Sequence, residues 1–531
     1  MQDFSKEQIL SILNVATDVK KALHDNEFNE ETFISKYGSP VQKILENKKV
    51  ATLFLENSTR TNFSFRAAVM QAGGNCDGFP SKEYTSLKKG ETWADTVAMF
   101  AGYGYDAIVM RSTIEGLPRW TKETLNKTHK LISSQHKDLN VAFSYKVPMV
   151  VNGGDGKNQH PTQCFLDLFT IREIAQAHGK SLDHLKISLL NDLAYGRTNA
   201  SLMSIAHLFN FELHLAYPPR FGPRESQLAN LQEKQVKIID HKQNFQNAMA
   251  ESFIAYHSRP QKERVGKGED LITIKKIGQI DQAMYRTLGE EAPYLLHPLP
   301  VDAETFEEIS SDMLHHPKNM TKLQSSNGLY VRIALLAIGL GKIPLLNNQK
   351  TEILHGMSIE NCTLSSTTKT LENPRSGFIE DTGVVIDHLP AGIGRRLAGV
   401  LGFENEPLPK VISDYVPVNN GKAPYKDLIK LHASYTFSPE QFQAIALLAP
   451  NAKISYITNG KVTRKVIPVI GNYIKDRISC GNLSCVTNVK KEKVVNFHHL
   501  NEKRKVRCNY CDQSEPLSQV YKENRYKYIK K

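Results

Sequence analysis

Ser58-Thr59-Arg60-Thr61 sets three hydroxyls and a guanidinium side by side, just after an apolar run that begins at Val50. Hydroxyls, backbone N–H groups and one Arg at a helix start suit an oxyanion with several acceptor oxygens, such as a phosphate. Ser and Thr also cap helices routinely, so the tetrapeptide alone fits a capped helix with one surface Arg equally well. Four further stretches carry related chemistry. Residues 153–163 join a glycine-rich turn to His160 and Gln163, which brings backbone close to a ligand and offers a donor and an amide. Residues 191–199 offer Arg197, able to fork onto a carboxylate or phosphate. Arg259 and Gln261 lie two apart and face the same way in an extended segment. His297-Pro298-Leu299-Pro300 stiffens a turn and leaves carbonyl oxygens as acceptors. These loops contain no metal-ligand cluster and no nucleophile–base pair. Their chemistry points to transfer between two bound small anions by positioning and charge stabilisation.

Each of these loops follows a candidate strand. The short apolar runs 51–55, 149–152, 187–190, 253–256 and 294–296 precede them, with further runs at 107–110 and 211–215. Helical periodicity lies between most, as at 162–177 and 199–209, and a polar helical segment precedes them over residues 1–48. Strand–helix alternation predicts parallel sheets covered by helices, and ligands then bind at the C-terminal ends of the strands. A helix over 328–341 closes this part. The fold class expected is α/β, with two doubly wound parallel-sheet domains over 1–150 and 151–342.

Beyond lies a stretch rich in Ser and Thr, read as a linker over 343–376. Candidate strands at 384–388 and 427–431 and helices at 390–401 and 439–448 then suggest a small α+β domain over 377–476. The final unit, 477–531, holds Cys480, Cys485, Cys508 and Cys511, four of the seven cysteines. Two Cys pairs across a 22-residue gap predict a closed, structural Zn2+ site of four thiolates, one per chain.

The net charge is +12, and the last unit carries 13 Lys/Arg against 5 Asp/Glu. A basic zinc unit could bind nucleic acid, but few aromatics interleave its basic residues before Tyr510, which argues against that partner. No apolar run reaches eighteen residues, so no membrane span is expected. The N-terminal residues lack a basic-then-apolar signal pattern, and a cytoplasmic location is the expectation.

Residues 58–61, 160–163 and 297–300 together resemble the carbamoyltransferase family. The segment Ser86-Leu87-Lys88-Lys89-Gly90-Glu91-Thr92 and the Arg259-Pro260-Gln261 loop resemble its aspartate-specific members. The resemblance covers residues 1–342 and implies transfer of a carbamoyl group from carbamoyl phosphate to L-aspartate, with no cofactor for the chemistry. It implies that Ser58, Thr59, Arg60 and Thr61 hold the phosphate. Arg111, His160 and Gln163 would contact the carbamoyl group, with His160 and Thr61 polarising its carbonyl. Arg197, Arg259 and Gln261 would hold the carboxylates of aspartate, and Leu299 and Pro300 would present carbonyls near the amine. Ser86 and Lys89 would reach in from a neighbouring subunit of a trimeric catalytic core. Residues 377–531 are similar to the regulatory chain of that family. This implies nucleotide effectors (ATP, CTP or UTP) at Asp387, His388, Lys430 and Lys465, and a zinc unit docked on protein. Two alternatives stand beside this reading: another amine acceptor, or a C-terminal half that serves only assembly.

Overall fold

The computed structural model describes all residues except 2, 25–29, 140–144, 262–270, 346–362, 366–381, 404–409, 418–424, 433, 470, 524 and 526–531. The chain divides into two compact units, Met1–Lys350 with Ser484–Glu492, and Thr351–Leu483 with Lys493–Lys531.

The first unit holds two parallel sheets. Strands β1 (Lys49–Phe54), β2 (Asn75–Phe79), β3 (Ala107–Ser112) and β4 (Met149–Asp155) form one, in the order β2-β1-β3-β4. Strands β5 (Lys186–Leu190), β6 (Glu212–Ala216), β7 (Lys237–Lys242), β8 (Ile254–His257) and β9 (Tyr294–Leu296) form the other, in the order β7-β6-β5-β8-β9. The strand order reverses between β1 and β3, and again between β5 and β8, so each sheet has a crevice at its switch point. The loops after β1, β3, β5 and β8 open there. The central strands read as unbroken apolar runs because helices cover both faces, and β1 is buried from Val50 to Phe54. The helix Thr321–Gly339 packs on the helices Lys6–His24, Thr59–Gln71 and Pro161–Ala177, which ties the two sheets' helical layers together. The sequence shows no strand signal at β2 or β7. Both are polar edge strands with little buried surface, so neither shows an apolar signature.

The second unit holds antiparallel sheets. Strands β10 (Thr363–Ser365), β11 (Gly383–Pro390), β12 (Lys410–Pro417), β13 (Tyr425–His432), β14 (Lys453–Thr458) and β15 (Lys461–Ile467) assemble in the order β10-β15-β14-β11-β13-β12. β10 lies inside the stretch read as a linker and pairs antiparallel with β15. The remainder of that stretch, apart from residues 343–345, lies outside the described residues. The helix expected at 390–401 is shorter, Gly394–Val400, because Pro390 still belongs to β11 and Gly392 turns the chain at φ +82°. The helix Pro439–Leu448 starts with a Ser438–Gln441 capping box and Pro at its first turn. A four-stranded sheet follows, β16 (Tyr473–Lys475), β17 (Phe497–Leu500), β18 (Lys505–Cys508) and β19 (Ser514–Pro516), in chain order. Among the described residues no helix is long and apolar enough to cross a membrane.

Candidate active site

A cleft of about 610 Å³ opens where the loops after the strands of both parallel sheets meet. Ser58 stands at the N-cap of the helix Thr59–Gln71, with extended backbone, yet its side chain makes no capping hydrogen bond. Of the two readings of this stretch, simple capping is therefore the one its geometry does not use. Arg60 extends from the first turn of that helix, while Thr61 is buried and its hydroxyl lies 3.4 Å from Arg111 Nη1. Arg111 is the fifth residue of β3 and lies beside Phe54 of β1.

His160 caps the helix Pro161–Ala177 by position, again without a side-chain capping bond. Its backbone N–H donates to Ser201 Oγ at 2.9 Å, and the residue is 4% exposed. Burial, then the charges of Arg111, Arg197 and Arg332, push its pKa well below the ordinary value, so the ring is neutral at pH 7. A neutral imidazole offers one N–H as a donor without adding a proton to the amine chemistry. One turn on, Gln163 Nε2 donates to Asp167 Oδ1 at 2.9 Å, which leaves its amide oxygen to accept.

Asp167 is a structural hub. It accepts from Gln163, from Gln324 Nε2 at 2.7 Å and from Tyr256 Oη at 2.8 Å, all buried. Gln324 Oε1 in turn accepts from the His297 backbone N–H at 2.8 Å. One carboxyl thus links the His160 helix, the helix Thr321–Gly339, β8 and the 297–300 turn. Burial raises its pKa to about 7 against the pull of those three donors.

Arg197 opens the helix Arg197–Ile205 behind Gly196, where a Cβ would fall 2.4 Å from Asp192 O. Its guanidinium takes Glu56 in a fork, at 2.7 Å to Oε1 and 3.0 Å to Oε2, and donates to Gly156 O at 3.0 Å. Arg111 Nη2 reaches the same Glu56 Oε1 at 3.1 Å. Burial alone would raise the Glu56 pKa, but Arg197 and then Arg111 hold it below its ordinary value. Burial, joined by the charge of Arg197, lowers Arg111 to about 10, still cationic at pH 7. Asn199 Nδ2 donates to Asp192 O at 2.7 Å and Ser258 Oγ at 3.0 Å, which locks the loops after β5 and β8 together.

Arg259, Leu299 and Pro300 line the cleft, and the Leu299–Pro300 peptide is cis. Gln261 does not line it. Its Nε2 donates to Tyr195 O at 2.9 Å. Ser86 and Lys89 lie on an exposed 3₁₀ turn and are absent from the cleft wall of their own chain.

Four contributors lie outside the motifs singled out in the sequence: Glu56, Asp167, Gln324 and Arg332. Arg332 lines the cleft from the helix Thr321–Gly339, and burial lowers it to about 10. Its guanidinium stands 5.0 Å over the Phe65 ring. A charged residue in the apolar run Leu329–Leu336 is the signal that could have exposed it. Five guanidiniums therefore face the cleft, from Arg60, Arg111, Arg197, Arg259 and Arg332, and Glu56 is the one carboxylate among its lining residues.

In the second unit, β11 is irregular between Ile386 and Leu389, and His388 sits at φ +61°. Asp387 pairs with Lys426 at 2.7 Å and lies 3.3 Å from His388 Nδ1. Lys430 and Lys465 belong to one row across the sheet, because Val385 pairs with both Lys430 and Ser455, and Ser455 with Lys465. Cys480, Cys485, Cys508 and Cys511 are all buried, with sulfurs within 4.8 Å of one another. The Cys480–Cys511 separation is 3.6 Å, too long for a disulfide bond and close to the roughly 3.8 Å edge of a tetrahedron with metal–sulfur bonds of about 2.3 Å. Asn482 N–H and Thr487 Oγ1 lie 3.4 and 3.3 Å from Cys480 and Cys485 sulfurs, donors that favour thiolates. These residues fit a structural metal ion.

Family models match four segments of the chain. The carbamoyl-P binding domain of aspartate/ornithine carbamoyltransferases matches residues 1–173, and the Asp/Orn binding domain matches 183–338. The allosteric domain of the aspartate carbamoyltransferase regulatory chain matches 379–468, and its metal binding domain 472–517. The aspartate carbamoyltransferase catalytic subunit of Bacteroides thetaiotaomicron is 34% identical over 354 residues, 66% of this chain and 96% of its own. That of Thermococcus onnurineus is 33% identical over 341 residues, 64% of this chain and 96% of its own. Among solved structures, the M. jannaschii catalytic subunit aligns with a TM-score of 0.52 at 30% identity, over 64% of this chain and 96% of that one. The Trypanosoma cruzi enzyme, solved with carbamoyl phosphate and aspartate, aligns with a TM-score of 0.50 at 26% identity, over 63% and 94%.

Proposed function

The chain belongs to the aspartate/ornithine carbamoyltransferase family, and on that premise we propose how its cleft moves a carbamoyl group from carbamoyl phosphate to L-aspartate. The observation that carries the reading is electrostatic: five guanidiniums and a neutral imidazole converge on one cleft with one carboxylate among them. Two anionic substrates, one a phosphate and one a dicarboxylate, match that excess.

Ser58, Thr59, Arg60 and Thr61 hold the phosphate at the helix start. Arg111, His160 and Gln163 hold the carbamoyl group, with donors from Thr61, Arg111 and His160 on its oxygen and the Gln163 oxygen on its amide. Arg197 and Arg259 take the carboxylates of aspartate, and Gln261 joins them by leaving the Tyr195 carbonyl. Leu299 and Pro300 carbonyls orient the amine. The amine nitrogen attacks the carbamoyl carbon, and the tetrahedral oxyanion is stabilised by the same donors. The bond to the phosphate oxygen then breaks, and the phosphate takes the amine proton. The products are N-carbamoyl-L-aspartate and phosphate, an early step of pyrimidine biosynthesis. The chain's own groups bind, orient and stabilise charge, and no cofactor enters the chemistry.

In this reading residues 1–150 bind carbamoyl phosphate and 151–342 bind aspartate. Residues 343–376 connect them to a nucleotide-binding regulatory domain at 377–476 and a zinc domain at 477–531. The four thiolates hold one Zn2+, a closed site with a purely structural role, and the cytoplasm is the compartment that keeps such thiols reduced. ATP, CTP or UTP bind near Asp387, His388, Lys430 and Lys465, where lysines and a His at the irregularity of β11 suit a triphosphate. Ser86 and Lys89 enter the cleft of a neighbouring chain in a trimeric core.

Two experiments test this. Carbamoyl phosphate supplied with a panel of amines should give product with L-aspartate and not with ornithine, and Arg259→Ala should raise the aspartate KM while sparing that for carbamoyl phosphate. An acceptor other than aspartate would replace the reading. Mixing inactive Lys89→Ala and His160→Ala chains should restore part of the activity by rebuilding intact shared sites. No restoration would show that each chain works alone.

A further inference from the structure

We propose that His214, His241 and Glu251 form a second metal site, for a late first-row divalent ion such as Ni2+, at the outer edge of the five-stranded sheet. None of the three lines the catalytic cleft, and none belongs to the four-cysteine cluster.

The fold brings them together in a specific way. Glu212 and His214 are alternate residues of β6 and share a face. His214 pairs with Ile239 of the edge strand β7, so that face continues to Lys237, Ile239 and His241. The register shifts at that end, because Leu215 pairs with Asp240 but Ala216 pairs with Lys242. His241 is the extra residue of a bulge, and Lys242 beside it has φ +53°. Bulges re-aim side chains, and here the His241 ring lies nearly parallel to that of His214, with 18° between the ring planes. Glu251 follows the short helix Phe245–Ala250 and brings a half-exposed carboxylate to the same spot.

The ligand atoms are spaced for one ion. His214 Nδ1 is 3.0 Å from His241 Nε2 and 3.7 Å from Glu251 Oε2, and all three lie within 4.8 Å of one another. Two donors at about 2.1 Å from a common ion are about 3.0 Å apart at a right angle and about 3.4 Å apart at a tetrahedral one. The paired imidazoles therefore suit square or octahedral coordination, the preference of Ni2+ and Cu2+ over Zn2+. Ligand chemistry agrees, because two imidazoles and a carboxylate are borderline donors, whereas the cysteine cluster is soft.

The surrounding shell agrees as well. His214 Nε2 lies 3.1 Å from Glu212 Oε1, which accepts its proton and leaves the Nδ1 lone pair facing the ion. Lys237 Nζ holds the other Glu212 oxygen at 2.8 Å. His214 is fully buried, so its ring has one orientation, while the half-exposed Glu251 leaves the remaining coordination positions to water. Without an ion, His241 Nε2–H donates to His214 Nδ1. On binding, that proton moves to His241 Nδ1 or to solvent, and the two lone pairs then face the metal.

The test uses the full chain with its thiol site saturated with Zn2+, titrated with Ni2+ by calorimetry. The expected result is one equivalent of Ni2+ per chain, weakened at least tenfold by His241→Ala and about tenfold by Glu212→Gln. Both variants should keep wild-type carbamoyl transfer, which reports an intact fold. If His241→Ala does not fold, Glu251→Ala at its half-exposed position serves in its place. Identical isotherms for wild type and variants, or no binding up to millimolar Ni2+, would leave the pair as a plain hydrogen bond and overturn the proposal.

Discussion

Glu56 Oε1 lies 2.7 Å from Arg197 Nη2 and 3.1 Å from Arg111 Nη2, so one carboxylate joins the loop after β1 to arginines from both parallel sheets. This places a built-in counterion in a cleft otherwise lined by cations. It offsets one of the two positive charges of Arg197 and Arg111 and fixes where both guanidiniums point. A charged hydrogen bond of this kind contributes about 1.5–3 kcal/mol.

Glu56→Gln keeps the shape of the side chain and removes its charge. The expected outcome is a fall of about tenfold to a hundredfold in kcat/KM for aspartate, since Arg197 loses its fixed orientation. Steady-state kinetics with varied aspartate check this. An unchanged value would mean that Glu56 is only a resting partner.

His160 is neutral in the folded chain because burial and then Arg111, Arg197 and Arg332 oppose its protonation. Its NMR titration should therefore show no inflection near pH 6.5, where an exposed His titrates. The same depression has a stability consequence. The unfolded chain binds the proton more readily, so this contribution is present above about pH 6.5 and is lost as pH falls below it. His257, lowered to about 4 by burial and then by His297, adds the same sign between about pH 6.5 and 4. Asp167, raised to about 7, acts in the opposite direction over the same range, and the two histidines together should outweigh it, so urea unfolding should give a higher midpoint at pH 7.5 than at pH 5.

The chemistry-bearing loops were legible because each pairs a short apolar strand with a polar turn. Arg60, His160, Arg197, Arg259 and the 297–300 turn all follow such strands. What holds those groups was not legible. Asp167 and Gln324 sit inside helices, where sequence shows only a polar residue at some position and no partner. Gln261 reads like a substrate contact, yet its Nε2 donates to Tyr195 O. Strand β7, Lys-Ile-Ile-Asp-His-Lys, has two apolar residues in six and so shows no apolar run, as an exposed edge allows.

The cysteine cluster gives a separable test. Replacing the bound ion by Co2+ should produce an intense thiolate-to-cobalt absorption band in the near ultraviolet, and Cys508→Ser should diminish it. Chelation should unfold residues around β16–β19, because ion binding supplies folding energy in so small a sheet. A far-ultraviolet dichroism spectrum unchanged by complete metal removal would contradict a structural role.

The most direct test of the catalytic account is the rate of N-carbamoyl-L-aspartate formation by the full chain and by Arg60→Ala. Arg60 lies in the first turn of the helix Thr59–Gln71 and is exposed, so its removal should leave the fold intact. The account predicts that the wild-type chain forms product and that Arg60→Ala loses about a thousandfold in rate, from lost charge stabilisation of the phosphate. A rate in Arg60→Ala close to that of the wild type would contradict it.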